Sequence, residues 1–139
     1  MTERINGDGL APAVGFSHAV ATTGPGRLVF LAGQTALDAG GTVVGTTLAE
    51  QFEQAFSNLL QALAAAGGSP GDLVTVTVYA VDVEDYRANA AELGRIWRSL
   101  AGRDYPAMAV VGVTRLWDLE ALVELQGVAV VAGVTEGGG

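Results

Sequence analysis

The spacing of apolar residues changes along the chain, and each change marks an element. Residues 16–22 and 27–32 are short strand-like runs. Between them Thr23, Gly24, Pro25 and Gly26 supply turn chemistry, so the two runs are expected to form a hairpin. A second turn at Asp38, Ala39, Gly40 and Gly41 leads into the short run Thr42, Val43, Val44. The period then becomes helical. Thr47 and Glu50 have capping-box spacing, and Leu48, Phe52, Ala55, Phe56, Leu59 and Leu63 recur on one face before Gly67 and Gly68 stop the helix. Its other face is polar, with Gln51, Gln54, Ser57, Asn58 and Gln61.

Residues 73–80 alternate valine with threonine or tyrosine, as a strand with two unlike faces should. The threonines are best placed on a helix-free face, at an interface between subunits. Asp82 is a good N-cap for a second helix carrying Tyr86, Ala90, Leu93, Trp97 and Leu100 on one stripe, with Gly102 as its stop. Two strands follow, at 107–113 and 121–131. The order β-β-α-β-α-β-β predicts an α+β sandwich, a mixed sheet with two helices on one face. Residues 1–15 and 133–139 have little to bury and are expected to be a flexible N-terminal segment and a disordered tail around one domain at 16–132.

One residue interrupts the apolar pattern of the last strand. Glu124 lies within Leu122, Val123, Leu125, Val128, Ala129, Val130 and Val131. Burying an unpaired carboxylate is costly, so something near Glu124 is expected to compensate it or use it. The strand at 107–113 is its expected neighbour, and that strand carries no cation.

Composition narrows the function. With 139 residues the chain is one domain, and 50% hydrophobic content with 20 glycines favours a homo-oligomer over a monomer. The net charge is −8 and all seven basic residues are arginine, which opposes nucleic-acid binding. With no cysteine and His18 as the single histidine, a self-contained metal site of the usual kind is excluded, and no cofactor is expected. Neither a signal-peptide pattern nor an apolar run of membrane-spanning length occurs, so a cytoplasmic protein with no membrane partner is expected.

Six short motifs then occur in a familiar order: Phe16-Ser17-His18-Ala19, Ala32-Gly33-Gln34, Asn58-Leu59, Ala66-Gly67-Gly68, Tyr105-Pro106-Ala107 and Leu122-Val123-Glu124-Leu125. Together they resemble the RidA (YjgF) family of reactive-imine deaminases, over residues 12–131. The resemblance implies a chorismate-mutase-like fold and a homotrimer with ligand clefts between subunits. It also implies hydrolysis of enamine and imine metabolites to 2-oxo acids and ammonia. In active members an arginine directly after Pro-Ala grips the substrate carboxylate, and a glutamate on the last strand serves the attacking water. Glu124 matches that glutamate.

The arginine position is Met108, which offers no donor to a carboxylate. Arg115 is too far along an extended strand and of the wrong parity to substitute, and nothing in the sequence directs Arg103 back to the site. A cleft with Met108 in that place favours a neutral or apolar ligand. Phe16, beside Ser17, aligns with a family aromatic that often carries a hydroxyl. Asn89 falls where the family places a cleft asparagine, although a solvated helix face accounts for it equally well. Tyr105 is a wall residue or a turn anchor, and Gly33 permits close backbone approach. Backbone groups of Met108, Ala109 and Val110 complete the expected substrate-binding set. His18 is read as structural.

Two readings stand. One is a RidA-like hydrolase that uses Glu124 on imine, enamine or related small-molecule metabolites, with ordinary 2-imino acid chemistry weakened by Met108. The other is a non-catalytic trimer that binds a metabolite or a partner protein in the same cleft. RNA cleavage, attached to some family members, is opposed by the acidic charge and the absence of lysine.

Overall fold

A computed structural model of the chain describes residues 2–133. Two short strands come first in space: β1 (Thr2–Ile5) pairs antiparallel with β2 (Ala19–Thr22), Arg4 opposite Val20. The main sheet has four strands, β3 (Gly26–Gln34), β4 (Leu73–Ala80), β5 (Ala107–Gly112) and β6 (Val123–Ala132), in the order β3-β6-β4-β5. Only the β4–β5 pair is parallel.

Two sequence expectations change here. The arms flanking residues 23–26 do not pair with each other: β2 takes β1, from the segment expected to be loose, and β3 takes β6. Alternation identifies a strand but not its neighbour, because pairing is decided by contacts distant in sequence. Similarly, β6 does not lie against β5; β4 separates them, and Tyr79 rather than any residue of β5 stands opposite Glu124. Of the tail expected from 133, residues 134–139 lie outside the described residues.

The first helix, α1 (Leu48–Ala65), begins on a complete capping box: Thr47 Oγ1 accepts from Glu50 N at 3.2 Å, and Glu50 Oε1 accepts from Thr47 N at 3.1 Å. Two orphan amides are thereby satisfied. It ends before Gly67 at φ 88°, where Arg27 donates to the Ala66 carbonyl. Its stripe of Phe52, Phe56, Leu59 and Leu63 is buried against Val76, Val78, Val123, Leu125 and Ala129 of the sheet.

Asp82 caps the next helix through Asp85 N, as expected, but the element is split. It consists of α2 (Val83–Ala88) and α3 (Ala90–Ala101) joined at Asn89. Asn89 Nδ2 donates to the Asp85 carbonyl at 2.8 Å and to the Asp85 carboxylate at 2.9 Å. Such a side chain competes with the helical backbone for its own acceptors and breaks the run. Trp97 of α3 stacks on Phe56 at 4.1 Å, locking the helices together over one face of the sheet.

Among the described residues nothing covers the opposite face. It presents Leu28 and Phe30 from β3, Thr75, Thr77 and Tyr79 from β4, and Glu124, Gln126 and Val128 from β6. Leu28 is 64% exposed and Phe30 76% exposed, far more than an apolar strand residue of a closed core. Among the described residues no helix is long and apolar enough to cross a membrane.

Candidate functional site

A cavity of about 300 Å³ lies between α3 and the open edge of β5. Val14, Gly15 and Phe16 form its outer wall, and Met108, Ala109 and Val110 its strand wall. Ala90, Leu93, Gly94 and Trp97 come from successive turns of α3, with Phe52, Tyr86 and Tyr105 closing the remaining sides. Met108 pairs with Val76, whose side chain is fully buried, so it points to the helix-covered side of the sheet.

The position of the outer wall follows from the chain around it. Ser17 N donates to the Pro106 carbonyl at 2.9 Å and Ser17 Oγ to the Tyr105 carbonyl at 2.8 Å, fixing Phe16 beside the start of β5. Arg4 Nε donates to the same Tyr105 carbonyl at 3.2 Å and Arg4 Nη2 to the Gly71 carbonyl at 3.0 Å, tying β1 to that corner. His18 holds the intervening loop. Its Nδ1 accepts from Gly7 N at 3.0 Å, leaving Nε2 to donate to the Ala11 carbonyl at 2.9 Å. The imidazole is thus held as the neutral Nε2–H tautomer with both nitrogens engaged in structural bonds.

The cavity is apolar and aromatic, with phenols as its main polar groups. Burial pushes the Tyr86 phenol up to about 12, so it stays a neutral donor. Among the described residues its hydroxyl has no hydrogen-bond partner. Sequence periodicity placed Tyr86 in the core stripe, and its hydroxyl was the one signal that it was more than core. Among the described residues the indole N–H of Trp97 is buried without an acceptor.

Glu124 is elsewhere. It lies on the helix-free face, half-buried, across the sheet from the side that Met108 faces. The expectation of a carboxylate sunk in an apolar core therefore changes: the residues around it in sequence are buried on alternate positions, and Glu124 has the other parity. Its carboxylate makes no hydrogen bond or ion pair among the described residues. Arg27 and Arg115 are engaged with backbone carbonyls instead: Arg27 with Ala66, Arg115 with Leu116 and Trp117.

Gly33 is what lets the carboxylate lie flat. A bulge between Leu31 and Gln34 turns Gly33 toward β6, where a Cβ would overlap Glu124 Oε1 and stand 2.8 Å from its Cδ. The start of β6 is also fixed. Gln51, only 2% exposed, accepts from Leu122 N at 2.8 Å and donates to the Glu120 and Gly45 carbonyls at 3.0 and 3.1 Å. Its place on the polar side of the helix pattern concealed this role.

The expected site residues therefore divide into groups. Phe16, Tyr105, Met108, Ala109 and Val110 share one cavity, while Gly33 and Glu124 share a second locus on the opposite face. Ser17 is buried and occupied with Tyr105. Asn89 lines a different, polar hollow with Thr46, Thr47, Asp85 and Glu92.

Comparison with known proteins agrees with this architecture. The solved structure of the Rid family protein YyfB from Yersinia pestis, of unknown function, superposes with a TM-score of 0.82 at 35% identity, covering 92% of this chain and 97% of that one. A RutC family protein of Pyrococcus horikoshii is 32% identical over 105 residues, 75% of this chain and 79% of its own length. The human 2-iminobutanoate/2-iminopropanoate deaminase is 28% identical over 110 residues, 78% of this chain and 77% of its own. The sequence profile of the endoribonuclease L-PSP family matches residues 7–131, and with that span and this fold the chain belongs to that family, the RidA (YjgF) group.

Proposed function

We propose that the protein is a Rid-type hydrolase of imine or enamine metabolites whose site is completed between copies of the chain in a homotrimer. The observation that carries this reading is the separation of Met108 and Glu124 onto opposite sides of one sheet. One chain cannot apply both to a single ligand. A neighbouring copy, packed by its helix-free face and bringing its Glu124 and Gly33 to the mouth of the Met108 cavity, can. The exposed Leu28 and Phe30 supply apolar area for such packing.

In that arrangement Glu124 takes a proton from water as the oxygen attacks the carbon of the C=N group. The nitrogen takes that proton from Glu124 to give a neutral carbinolamine, and Glu124 then carries the hydroxyl proton to the nitrogen as the C–N bond breaks, releasing ammonia and a carbonyl product. β5 is an edge strand of the main sheet, which supports a role for backbone groups of Met108, Ala109 and Val110 in holding the reacting nitrogen or oxygen. Resemblance to the human deaminase supports the reaction class. The family's ribonuclease description is less well served, because a chain of net charge −8 repels phosphate backbones.

Ammonia release from 2-iminopropionate and from bulkier imines generated in situ tests the reading, with Glu124→Gln as control. Equal rates for protein, variant and buffer would remove it. Met108 in place of a cation favours a second reading, a trimer that binds without turnover. That version predicts ligand-dependent thermal stabilisation with no ammonia released.

A further inference from the structure

Arginine supplies all seven Lys/Arg-type cations of this protein, and the structure accounts for most of them. Arg4, Arg27 and Arg115 donate to backbone carbonyls. Arg87, Arg95 and Arg103 are exposed to solvent. Arg98 is the remaining one. It is half-buried on α3, and among the described residues its guanidinium makes no hydrogen bond or ion pair. Among the described residues only the Trp97 indole nitrogen is both buried and unpartnered, so the Arg98 guanidinium is reachable from solvent and its donors are free to take an acceptor from a ligand.

Its location says which acceptor. Side chains on a helix lean toward its N-terminus, and Arg98 lies back over Gly94, one turn earlier. Arg98 Nη1 is 3.1 Å and Cζ 3.9 Å from the point that a Cβ on Gly94 would occupy. Gly94 is a wall residue of the Met108 cavity, between Ala90 and Trp97. A glycine in mid-helix is less favourable than alanine. Here it leaves space for the guanidinium and keeps the cavity wall open beside it.

We propose that Arg98 is the anion anchor of this cavity, and that its ligand is a carboxylate bearing an aromatic or comparably bulky apolar group. The inference rests on reading the cavity as the ligand pocket, and it adds the substrate class to that reading. The aromatic rings of Phe16, Phe52, Tyr86 and Tyr105 accept the apolar body, with Met108 contributing a soft apolar wall where a cation would otherwise stand. The carboxylate then lies against α3, not β5. A ligand too short to span from the strand wall to Arg98 leaves its charge unpaired, so small 2-imino acids are poor fits.

Calorimetric titration with phenylacetate and phenylacetamide, which share a ring and differ in charge, tests the anchor. Wild type should bind the acid about tenfold more tightly than the amide, the worth of one charge-assisted hydrogen-bond pair in a half-exposed setting. Arg98→Met should abolish that preference with amide affinity kept, Arg98→Lys should restore part of it, and Arg95→Met should leave it intact. Gly94→Ala, which crowds the guanidinium, should reduce it. A preference that survives Arg98→Met, equal affinities in wild type, or no binding of either probe at millimolar concentration would each overturn the proposal. None of these outcomes decides the hydrolase reading, which stands or falls on ammonia release by the wild-type protein.

Discussion

Gly33→Ala separates the position of Glu124 from the stability of the fold. The added methyl would overlap Glu124 Oε1 and stand 2.8 Å from Cδ and 3.2 Å from Cγ. Carbon contacts settle at roughly 3.5–4.0 Å, so the carboxyl group must retreat by about 1 Å or more. Because it is the free end of a flexible side chain with no partner among the described residues, the retreat is inexpensive. Replacing glycine where φ is ordinary also gains about 0.4–1 kcal/mol by restricting the unfolded chain. Net stability should stay within about 1 kcal/mol of wild type. Gly68→Ala is the contrast. Its methyl would meet Leu63 Cδ1 at 2.5 Å and Val131 Cγ2 at 3.0 Å, both in the core, and overpacking of that kind costs roughly 1–3 kcal/mol. Urea denaturation measures both, as midpoint shifts at unchanged slope. On the proposed function, Gly33→Ala should also lower turnover about 100-fold, the effect of misplacing a reacting group by about 1 Å, and should add nothing to Glu124→Gln. Destabilisation equal to that of Gly68→Ala would show that the carboxylate is held by further partners. Full turnover would show that its present position is not the working one.

Three further outcomes follow from named contacts. Gln51→Leu leaves the Gly45 and Glu120 carbonyls and the Leu122 amide without their partner, and should cost about 2–5 kcal/mol in urea denaturation, with loss of turnover through displacement of β6. The Tyr86 phenol is raised from 10.0 to about 12, so the folded state keeps a proton that the unfolded chain releases. Its contribution is intact below pH 10 and is lost as pH climbs toward 12, a fall of roughly 2–3 kcal/mol; with no lysine to titrate there, Tyr86→Phe should flatten this alkaline limb. Glu50 is held below its ordinary value of 4.5 chiefly by the Thr47 hydroxyl, then by the Thr47 and Thr46 amides. Its contribution is therefore present above that value and lost as pH falls through the depressed one, and Glu50→Ala should weaken the acid dependence of the urea midpoint.

Local chemistry made several elements legible in the sequence. Thr47 and Glu50 announced the start of α1, Gly67 its end, and Asp82 the start of α2, because caps satisfy backbone groups within a few residues of themselves. The valine–threonine alternation of β4 announced two unlike faces, and Thr75 and Thr77 do occupy the helix-free one. Within the candidate site, Phe16, Tyr105, Met108, Ala109 and Val110 were legible as one group, and the structure brings them to one cavity. The tertiary structure alone decided which strand lies beside which, and hence that β4 separates Glu124 from Met108 and that the two residues face opposite ways. It alone turned Gln51 from a member of a polar helix face into a buried clamp, and Tyr86 and Gly94 from a helix pattern into parts of a cavity. The division has a physical cause. A cap or a strand period is satisfied by neighbours in sequence, whereas sheet order, a backbone bulge and the acceptor for a buried amide depend on segments that meet only after the chain has folded.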